Sequence, residues 1–462
     1  MPGRSDRGTV PLIVLLLAML APGSSSFASS SSDILEQIRG LPGVMTAIEA
    51  PSDLPETRFF QIEFEQPLNL EEPAGAKFLQ RMTLLHRSEA APMVLALNGY
   101  DIDWRGSLQY ELTALLQANQ IHVEHRFFLP SGPDPLTWNY LTIAQSAADH
   151  HRIVEAFKSI YAAKWLSTGS SKGGMASVYH RFFYPDDVDA TVAYVAPSSH
   201  GTQDERYVSF VDSLGTEECR SKLRAVQKRA LKKRAKLVRF IKGSGYNMLG
   251  KDRALEFAIM EFPFVFWQYG SASSCDAIPG SEASPREIFD YLGRVASVSG
   301  FNDDTNDFYA PYYYQAATEL GGPRFSDTGV RALLRYPGED VPSTYPPLGI
   351  EKIFKPAVMP QIEQWVLNEG ERFLFIYGEN DPWSATAFEG KASNDSYRFF
   401  VTGARGNHRA RILDLSTTDR DFVLERIQTW LGVSIPRGYG LHLFSDPRLR
   451  IDPPSRRELF LR

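Results

Sequence analysis

Strand-like and helix-like patterns alternate along the first half of the chain. The apolar runs with strand character lie at 59–64, 82–86, 93–97 and 121–124, and helical periodicity lies at 108–117 and about 141–161. The first two strands alternate apolar and polar positions, whereas 93–97 is wholly apolar, as a strand buried on both faces is. The pattern predicts an α/β domain in which antiparallel edge strands lead into a buried parallel sheet.

A long interruption separates these elements from the last predicted strands. Residues 190–195 form another apolar strand pattern that ends at Pro197, and strand patterns return only at 373–377 and 397–401. The segment between them carries prolines and is mostly helical in pattern. We interpret it as a helical cap placed over the carboxyl ends of the strands, where open α/β sheets bind their ligands.

A G-x-S-x-G pentapeptide, residues 169–173, lies between an apolar run and a helical pattern. Residues 163–166 precede it and the helix-forming residues 175–180 follow it. In α/β-hydrolases this strand, turn and helix hold the serine in a strained turn, and the flanking glycines let strand and helix pack closely. Ser171 is therefore the candidate nucleophile, although the pentapeptide alone is also common in loops rich in glycine and serine.

An acid and a histidine follow Ser171 in the order that this fold uses. Asp381 lies in the turn after the strand pattern at 373–377, and His408 lies in the glycine-rich loop after 397–401. The imidazole would take the proton of the serine and return it to the leaving amine, while the carboxylate would fix its tautomer. The alternatives are that Asp381 is only a turn residue and His408 only a solvated loop residue.

Two backbone N–H groups are needed to form an oxyanion hole. The N–H of Lys172 is the first candidate, and the N–H of Tyr100, in the turn after 93–97, is the second. Each such donor typically lowers the barrier by about 3 kcal/mol. The sequence contains no H-E-x-x-H motif, cysteine cluster or phosphate-binding glycine loop, so we expect neither a metal nor another cofactor.

Together these features predict an α/β-hydrolase fold with a largely helical cap inserted after the strand that follows the nucleophile elbow. The predicted parts are a signal peptide at 1–28, the first part of the hydrolase domain at 29–197, the cap (lid) at 198–370, the second part of the hydrolase domain at 371–433 and a C-terminal extension at 434–462.

The N-terminus has the pattern of a secretory signal peptide. Arg4 and Arg7 precede an apolar run at 10–20, and the small residues Ser26 and Ala28 follow it. A membrane span needs about 20 apolar residues, more than this run offers, and no cysteine follows it to carry a lipid. We expect a secreted or periplasmic protein without a stable membrane span, and the alternative is an uncleaved N-terminal anchor.

Composition and charge add to this picture. A chain of 462 residues that is 43% hydrophobic can bury a large core. The net charge of −6 provides no basic field to attract nucleic acid or anionic lipid. Cys219 and Cys275 are the only cysteines, and in an exported chain they predict one disulfide, with two free thiols as the alternative. Within the predicted cap, the basic segment at 220–242 has helical spacing, and we interpret it as a solvated lid helix, with a membrane or partner surface as the alternative.

Several short motifs carry a resemblance to a known family. They are E-H-R-F-F at 124–128, W-N-Y-L-T-I at 138–143, D-H-H-R-I at 149–153, K-W at 164–165, T-G-S-S-K-G-G-M at 168–175 and G-E-N-D-P-W at 378–383. Together they resemble the secreted bacterial tripeptidyl aminopeptidases, a family of serine peptidases, over about residues 55–430. The lysosomal prolyl carboxypeptidase and dipeptidyl peptidase group is more distantly similar and shares the plan of a cap over a hydrolase domain.

The resemblance implies a secreted serine exopeptidase. Such an enzyme releases short peptides, typically tripeptides, from free N-termini through an acyl-enzyme, often with proline beside the cleaved bond, so its partners are peptides. The triad roles pass to Ser171, Asp381 and His408 because those motifs are present here.

An exopeptidase must also hold the ammonium group of its substrate, for which a partly dry carboxylate is suited. The candidates for this role are Glu124, Asp103, Glu111 and Glu261. For Glu124 we favour instead a structural ion pair with Arg126.

Two other functions remain open at this point. A secreted esterase or lipase would use the same triad and oxyanion hole, and a catalytically silent binding protein could have the same scaffold. The sequence does not indicate an oligomeric state.

Overall fold

The computed structural model describes residues 32–435, together with Gly3 and Leu449–Arg450. The predicted signal peptide at 1–28 lies outside the described residues except for Gly3, and so does most of the predicted extension at 434–462. Within the described ranges, no helix has both the length and the apolar character needed to span a bilayer.

The strands form a nine-stranded sheet and a separate two-stranded pair. In chain order they are β1 (Val44–Ala50), β2 (Arg58–Pro67), β3 (Lys77–His86), β4 (Met93–Leu97), β5 (Gln109–Tyr110), β6 (Asn119–Val123), β7 (Trp165–Ser170), β8 (Ala190–Tyr194), β9 (Phe373–Gly378), β10 (Tyr397–Val401) and β11 (Leu449–Arg450). The large sheet has the order β1-β2-β3-β6-β4-β7-β8-β9-β10, and β5 pairs with β11. In this order, the neighbouring strands β1, β2, β3 and β6 pair antiparallel. From β6 onward, through β4, β7, β8, β9 and β10, the neighbouring strands pair parallel.

The α-helices flank this sheet and fill the long interruption. They are α1 (Ile34–Arg39), α2 (Glu111–Leu116), α3 (Ile143–Phe157), α4 (Lys172–Phe183), α5 (Arg206–Ser213), α6 (Glu217–Lys232), α7 (Arg234–Val238), α8 (Lys251–Tyr269), α9 (Pro285–Val295), α10 (Asp303–Phe308), α11 (Ala310–Gln315), α12 (Val358–Asn368) and α13 (Thr417–Leu431). The helix predicted at about 141–161 corresponds to α3. The Thr142 side chain caps its first turn by accepting the N–H of Gln145.

Helices cover both faces of the parallel strands. On one face Ile153 of α3 packs in a cluster with Leu95 of β4, and on the other Val423 of α13 packs in a cluster with Val94. Successive side chains of a strand point to opposite faces, so neighbouring residues of β4 enter different cores. Each fully buried aliphatic side chain contributes about 1.5–3 kcal/mol. Strands buried on both faces are therefore apolar throughout, and the mostly parallel sheet with helices on both sides confirms the predicted α/β-hydrolase fold.

The interruption is mostly helical, since α5 to α12 all lie between β8 and β9. Much of it has a hydrophobic core of its own, in which Val226 of α6, Phe257 of α8 and Leu292 of α9 are buried together. Cys219 of α6 and Cys275, just after α8, form a disulfide across this core. Helix α12 differs, because its residue Ile362 packs with Phe375 of the sheet. The domain boundaries given above stay predictions.

The basic segment predicted as one helix forms two. Helices α6 and α7 meet at Lys233, and their apolar residues Leu223, Val226 and Leu237 are buried in the cap core. The exposed cations, among them Lys228 and Lys232, lie on the solvent-facing side of α6. An amphipathic helix orients its charged face to solvent in this way.

Candidate active site

Ser171 sits in a sharp turn between β7 and α4. Its backbone has φ +54° and ψ −124°, a conformation that an L residue adopts only under strain. The Ser171 N–H donates to the carbonyl oxygen of Tyr194 on the neighbouring strand β8 at 2.9 Å, which fixes the turn to the sheet. Among the described residues the Ser171 hydroxyl makes no hydrogen bond, and catalytic hydrogen bonds often tighten only when a substrate binds.

The two glycines that flank this turn are required by close packing. A Cβ atom on Gly169 would lie 2.3 Å from the backbone carbonyl of Gly173, and a Cβ atom on Gly173 would lie 2.4 Å from the carbonyl oxygen of Leu97. Both distances are far below van der Waals contact. Strand β7, helix α4 and the end of β4 can therefore approach this closely only with glycine at both positions.

Asp381 and His408 are in direct contact. The Nδ1 atom of His408 lies 2.7 Å from Oδ2 of Asp381, which is fully buried, and the other carboxylate oxygen accepts the N–H of Trp383 at 3.2 Å. A carboxylate at this distance assigns the proton to Nδ1 and leaves Nε2 as the basic nitrogen. Ser171, Asp381 and His408 follow β7, β9 and β10, which are parallel, so all three lie at the same edge of the sheet.

The histidine loop is held by the C-terminal end of α8. The backbone N–H of His408 donates to the carbonyl oxygen of Gln268 at 2.9 Å. The side-chain amide of Asn407 donates to the carbonyl oxygens of Tyr269 and Gly270, both at 3.3 Å. The cap therefore contacts the histidine segment through backbone groups. Nothing in the sequence pattern of Asn407 indicated this role.

Aromatic side chains surround the imidazole. Trp383 has its ring centroid 6.2 Å from that of His408, and Phe264 of α8 packs edge-on against Trp383 at 5.2 Å. The α8 segment at 262–267 is rich in aromatic residues, which lie in two different surroundings. Phe264 packs against Trp383 beside the site, whereas Phe262, Phe266 and Trp267 belong to the buried cap core.

The two predicted oxyanion donors differ in their surroundings. The N–H of Lys172 is at the first position of α4, where a helix has no internal acceptor for it. The N–H of Tyr100 donates to the side-chain oxygen of Asn98 at 3.1 Å and is thus engaged in a turn. The assignment of the second donor stays a prediction.

Glu124 is enclosed by structural hydrogen bonds. One of its oxygens accepts the hydroxyl of Ser131 at 2.6 Å and the other accepts the N–H of Ile102 at 3.0 Å. Its side chain is only 2% exposed, and burial raises its pKa to about 7.

The expected ion pair between Glu124 and Arg126 is wrong. Arg126 instead pairs with Asp149 of α3, with nitrogen–oxygen distances of 2.6 and 2.7 Å, and both residues are 1% exposed. Arg126 also donates to the carbonyl oxygen of Tyr140 at 2.7 Å. The reason is that Arg126, just after β6, lies next to α3 in the fold although Asp149 is 23 positions further along the chain. Proximity in the sequence could not reveal this pairing.

Glu111 ties the histidine segment to the sheet. Its carboxylate accepts the N–H groups of Ile412 at 3.2 Å and Leu413 at 2.9 Å and the hydroxyl of Tyr194 at 2.8 Å. Burial raises its pKa. The carboxylate is thus occupied in anchoring the chain just beyond His408.

The remaining two candidate acids lie in different surroundings. Asp103 is exposed, and its Oδ1 accepts the N–H groups of Arg105 at 3.2 Å and Gly106 at 3.1 Å, which closes a turn. Glu261 is a buried residue of α8 in the cap. Across residues 32–435, no three His, Cys, Asp or Glu side chains are grouped as metal ligands.

Comparisons with known proteins place this site in context. A family model described as PS-10 peptidase S37 matches residues 28–439. The prolyl tri/tetrapeptidyl aminopeptidase of Streptomyces mobaraensis is 35% identical over 436 residues, which cover 91% of this chain and 90% of that relative. Among solved structures, homoserine O-acetyltransferase from Staphylococcus aureus aligns over 90% of this chain and 99% of its own, with a TM-score of 0.37 and 12% identity. Proline iminopeptidase from Mycobacterium smegmatis aligns over 78% and 91%, with a TM-score of 0.32 and 13% identity.

Proposed function

The chain belongs to the PS-10 peptidase S37 family, and on that premise we propose that it is a secreted serine exopeptidase that releases short peptides, typically tripeptides, from free N-termini. Family membership confirms the resemblance to the tripeptidyl aminopeptidases and makes the protein a serine peptidase. The Streptomyces relative is named for prolyl substrates, which supports a preference for proline beside the cleaved bond.

In the proposed acylation step, the three side chains at the sheet edge act together. Nε2 of His408 accepts the proton of the Ser171 hydroxyl as Oγ attacks the carbonyl carbon of the scissile bond. The Asp381 carboxylate, 2.7 Å from Nδ1, stabilises the imidazolium that forms. The N–H of Lys172 donates to the oxyanion of the tetrahedral intermediate.

The intermediate then breaks down in the direction of the acyl-enzyme. Imidazolium gives its proton to the leaving amine, the carbon–nitrogen bond breaks and the released chain departs, leaving the N-terminal peptide as an ester on Ser171. Water attacks this ester, His408 accepts the proton of the water and returns it to Oγ, and the short peptide leaves.

The 2.7 Å contact between His408 and Asp381 is the observation that carries this proposal. Histidine–aspartate contacts also occur elsewhere in the fold, as between His180 and Asp187 at 2.8 Å. The His408–Asp381 pair differs because its carboxylate is fully buried and because it lies at the sheet edge where the strained Ser171 also lies. A triad is recognised by such geometry and not by position in the sequence.

For the substrate ammonium we propose Glu261. Glu261 shares a face of α8 with Phe264 and Gln268, by spacings of three and seven residues. Phe264 packs on Trp383 beside the imidazole, and the backbone carbonyl oxygen of Gln268 accepts the backbone N–H of His408.

The helix also provides a distance. Glu261 precedes Gln268 by seven residues, or about 10 Å along the axis at 1.5 Å per residue. An extended tripeptide spans about 10 Å at 3.3–3.6 Å per residue. The spacing along α8 between Glu261 and Gln268, the residue whose carbonyl oxygen accepts the N–H of His408, therefore suits a peptide of about this length, held by its ammonium at one end.

Blocked and free substrates test the function. We expect rapid hydrolysis of a tripeptide anilide with a free amine, slow hydrolysis of its N-acetyl derivative, and loss of both activity and fluorophosphonate labelling in Ser171→Ala. Equal rates on free and acetylated peptides would exclude the exopeptidase. A simple aryl ester hydrolysed in preference to both would favour the esterase, and no labelling of the natural chain would favour a silent binding protein.

The same substrates test Glu261. A charge-assisted hydrogen bond is worth about 1.5–3 kcal/mol, so Glu261→Gln should raise KM for the free tripeptide anilide by about 10- to 100-fold. The acetylated anilide lacks the ammonium and serves as the internal control, with an unchanged kcat/KM. An equal loss on both substrates would show that Glu261 supports the cap and does not bind the amine.

Secretion rests on the apolar run at 10–20 and the small residues that follow it. N-terminal sequencing of the exported protein should begin close to residue 29. An N-terminus that starts at Met1 in a membrane fraction would contradict this.

A further inference from the structure

The side chain of Lys172 is buried beside the nucleophile. It is 3% exposed, and its Nζ donates to the carbonyl oxygen of Gly99 at 2.7 Å. The same nitrogen lies 5.7 Å from the ring centroid of Tyr100 and 5.6 Å from that of Phe128. The amine is thus enclosed by one carbonyl and two aromatic faces, an arrangement that can hold a cation.

Burial of the Lys172 amine costs free energy of folding, which suggests that the side chain has a role at this position. Burial lowers the pKa of Lys172 well below its ordinary value. Within the part of the chain that the structure describes, no carboxylate forms an ion pair with it. A buried amine without an ionic partner is expensive, and an apolar residue of similar length would fill the same space more favourably.

The bond that Nζ makes joins two separate parts of the site. The backbone N–H of Lys172, at the start of α4, is the oxyanion donor assigned above. Gly99 belongs to the turn after β4, from which the second donor is expected. Packing adds to this bond, because a Cβ atom on Gly99 would lie 2.4 Å from Cβ of Lys172.

We propose that the Lys172 side chain is a positioning residue that fixes the turn after β4 against the N-terminus of α4, and so sets the spacing of the oxyanion hole. This inference rests on the proposed function. Charged or neutral, the amine donates to the Gly99 carbonyl, so the role does not depend on its protonation state.

Lys172→Met removes the donor and keeps most of the side-chain volume. Since removal of one oxyanion donor lowers kcat by about 10²- to 10³-fold, loosening one should lower kcat per active site by about 10- to 100-fold, with KM within about twofold. The number of active sites is set by titration with a fluorophosphonate. The variant leaves the Gly99 carbonyl without this donor but also removes a buried amine, which is itself unfavourable, so the variant should fold.

A second readout separates positioning from a structural role. A peptide boronate forms a tetrahedral adduct on serine, and its oxygen occupies the oxyanion hole, so its Ki should weaken by about the same factor as kcat. The Ki of the product tripeptide, which has no such oxygen, should stay unchanged. Lys172→Gln, a shorter residue with an amide donor, should recover part of the loss.

Lys352→Met is the matched control. Lys352 also donates its Nζ to a backbone carbonyl, that of Tyr345, and burial lowers its pKa to about 8, but it lies in the segment before α12. Its loss should leave kcat and boronate affinity unchanged.

Natural kcat and boronate affinity in Lys172→Met would overturn the inference, and so would a variant that cannot fold, since Lys172 would then be a folding residue. Either result leaves the proposed function intact, whereas activity in Ser171→Ala would refute that function itself.

Discussion

The backbone N–H of His408 donates to the carbonyl oxygen of Gln268 at 2.9 Å, and this bond links the proposed base directly to the cap. Gln268 is the penultimate residue of α8, the longest helix of the cap. The carbonyl end of a helix carries partial negative charge, which favours a cation nearby. The cap therefore takes part in holding the imidazole that we propose as the base.

Asn407→Ala tests this link. The variant loses two hydrogen bonds of 3.3 Å to the carbonyl oxygens of Tyr269 and Gly270. It also loses the bond of 3.0 Å in which Asn407 Oδ1 accepts the N–H of Arg409 inside the histidine loop. Because small displacements of a catalytic group are costly, we expect kcat to fall by about 10- to 100-fold while KM changes little. Steady-state kinetics with the free tripeptide anilide measures both constants.

Asn394→Ala is the control for that experiment. Asn394 also donates its side-chain amide to a backbone carbonyl, that of Leu367 at 3.2 Å, in the connection before β10. It should retain natural kinetics. If both variants were equally impaired, the loss in Asn407→Ala would reflect general stability and not the histidine loop.

Asp381→Asn tests the partner of the imidazole. The amide can keep the shape of the site but does not stabilise the imidazolium and permits the wrong tautomer, for which a loss of about 10⁴-fold in kcat is typical. Glu379→Gln, two residues earlier, is the control, since its Oε1 accepts the N–H of Gly403 and an amide oxygen can do the same. A loss below tenfold in Asp381→Asn would argue against the triad.

The disulfide should stabilise the cap. Cys219 and Cys275 are 56 residues apart, and closing a loop of that length is worth about 4 kcal/mol in the chain-entropy model. Urea unfolding of Cys219→Ser/Cys275→Ser should show a lower free energy of unfolding by about that amount. Adding a reductant should shift the natural chain toward the variant and leave the variant unchanged. Coincident unfolding curves without reductant would contradict the prediction.

Local sequence patterns were sufficient to predict most of the fold. The apolar run at 93–97 became β4 with the same bounds, and the strand predicted at 373–377 became β9 (Phe373–Gly378), because strands buried on both faces are apolar at every position. The elbow could be placed from five residues, since strand, turn and helix must pack through glycine. These signals are encoded within a few neighbouring residues.

Long-range partners could not be predicted in this way. Arg126 pairs with Asp149, which approaches only after α3 packs against the sheet. The hydrogen bond from the Asn407 side chain to the carbonyl oxygen of Tyr269, at the end of α8, joins segments that are far apart in the chain. The break between α6 and α7 at Lys233 lies within continuous helical periodicity, so the tertiary contacts of the cap decide it. Periodicity identifies a face of an element, but not what covers it.

Glu124 should make stability depend on pH. In the folded protein burial raises its pKa to about 7, while an unfolded glutamate titrates near 4.3. Below about pH 4 both states are protonated, and between about pH 4 and 7 the folded state binds more protons. Its contribution to the free energy of unfolding therefore falls as pH rises, by up to about 3–4 kcal/mol at pH 8.

Glu124→Gln removes this titration and can keep both bonds. The amide oxygen can accept the N–H of Ile102, and the amide nitrogen can donate to the hydroxyl of Ser131, which is able to reverse its own bond. Relative to the natural chain, the variant should gain stability from pH 5 to pH 8 in urea unfolding. Glu282→Gln, at an exposed glutamate of the cap, should follow the natural curve throughout. Parallel curves for Glu124→Gln and the natural chain would mean that Glu124 stays ionised when folded, and its buried carboxylate would then need a cation that the contacts with Ile102 and Ser131 do not supply.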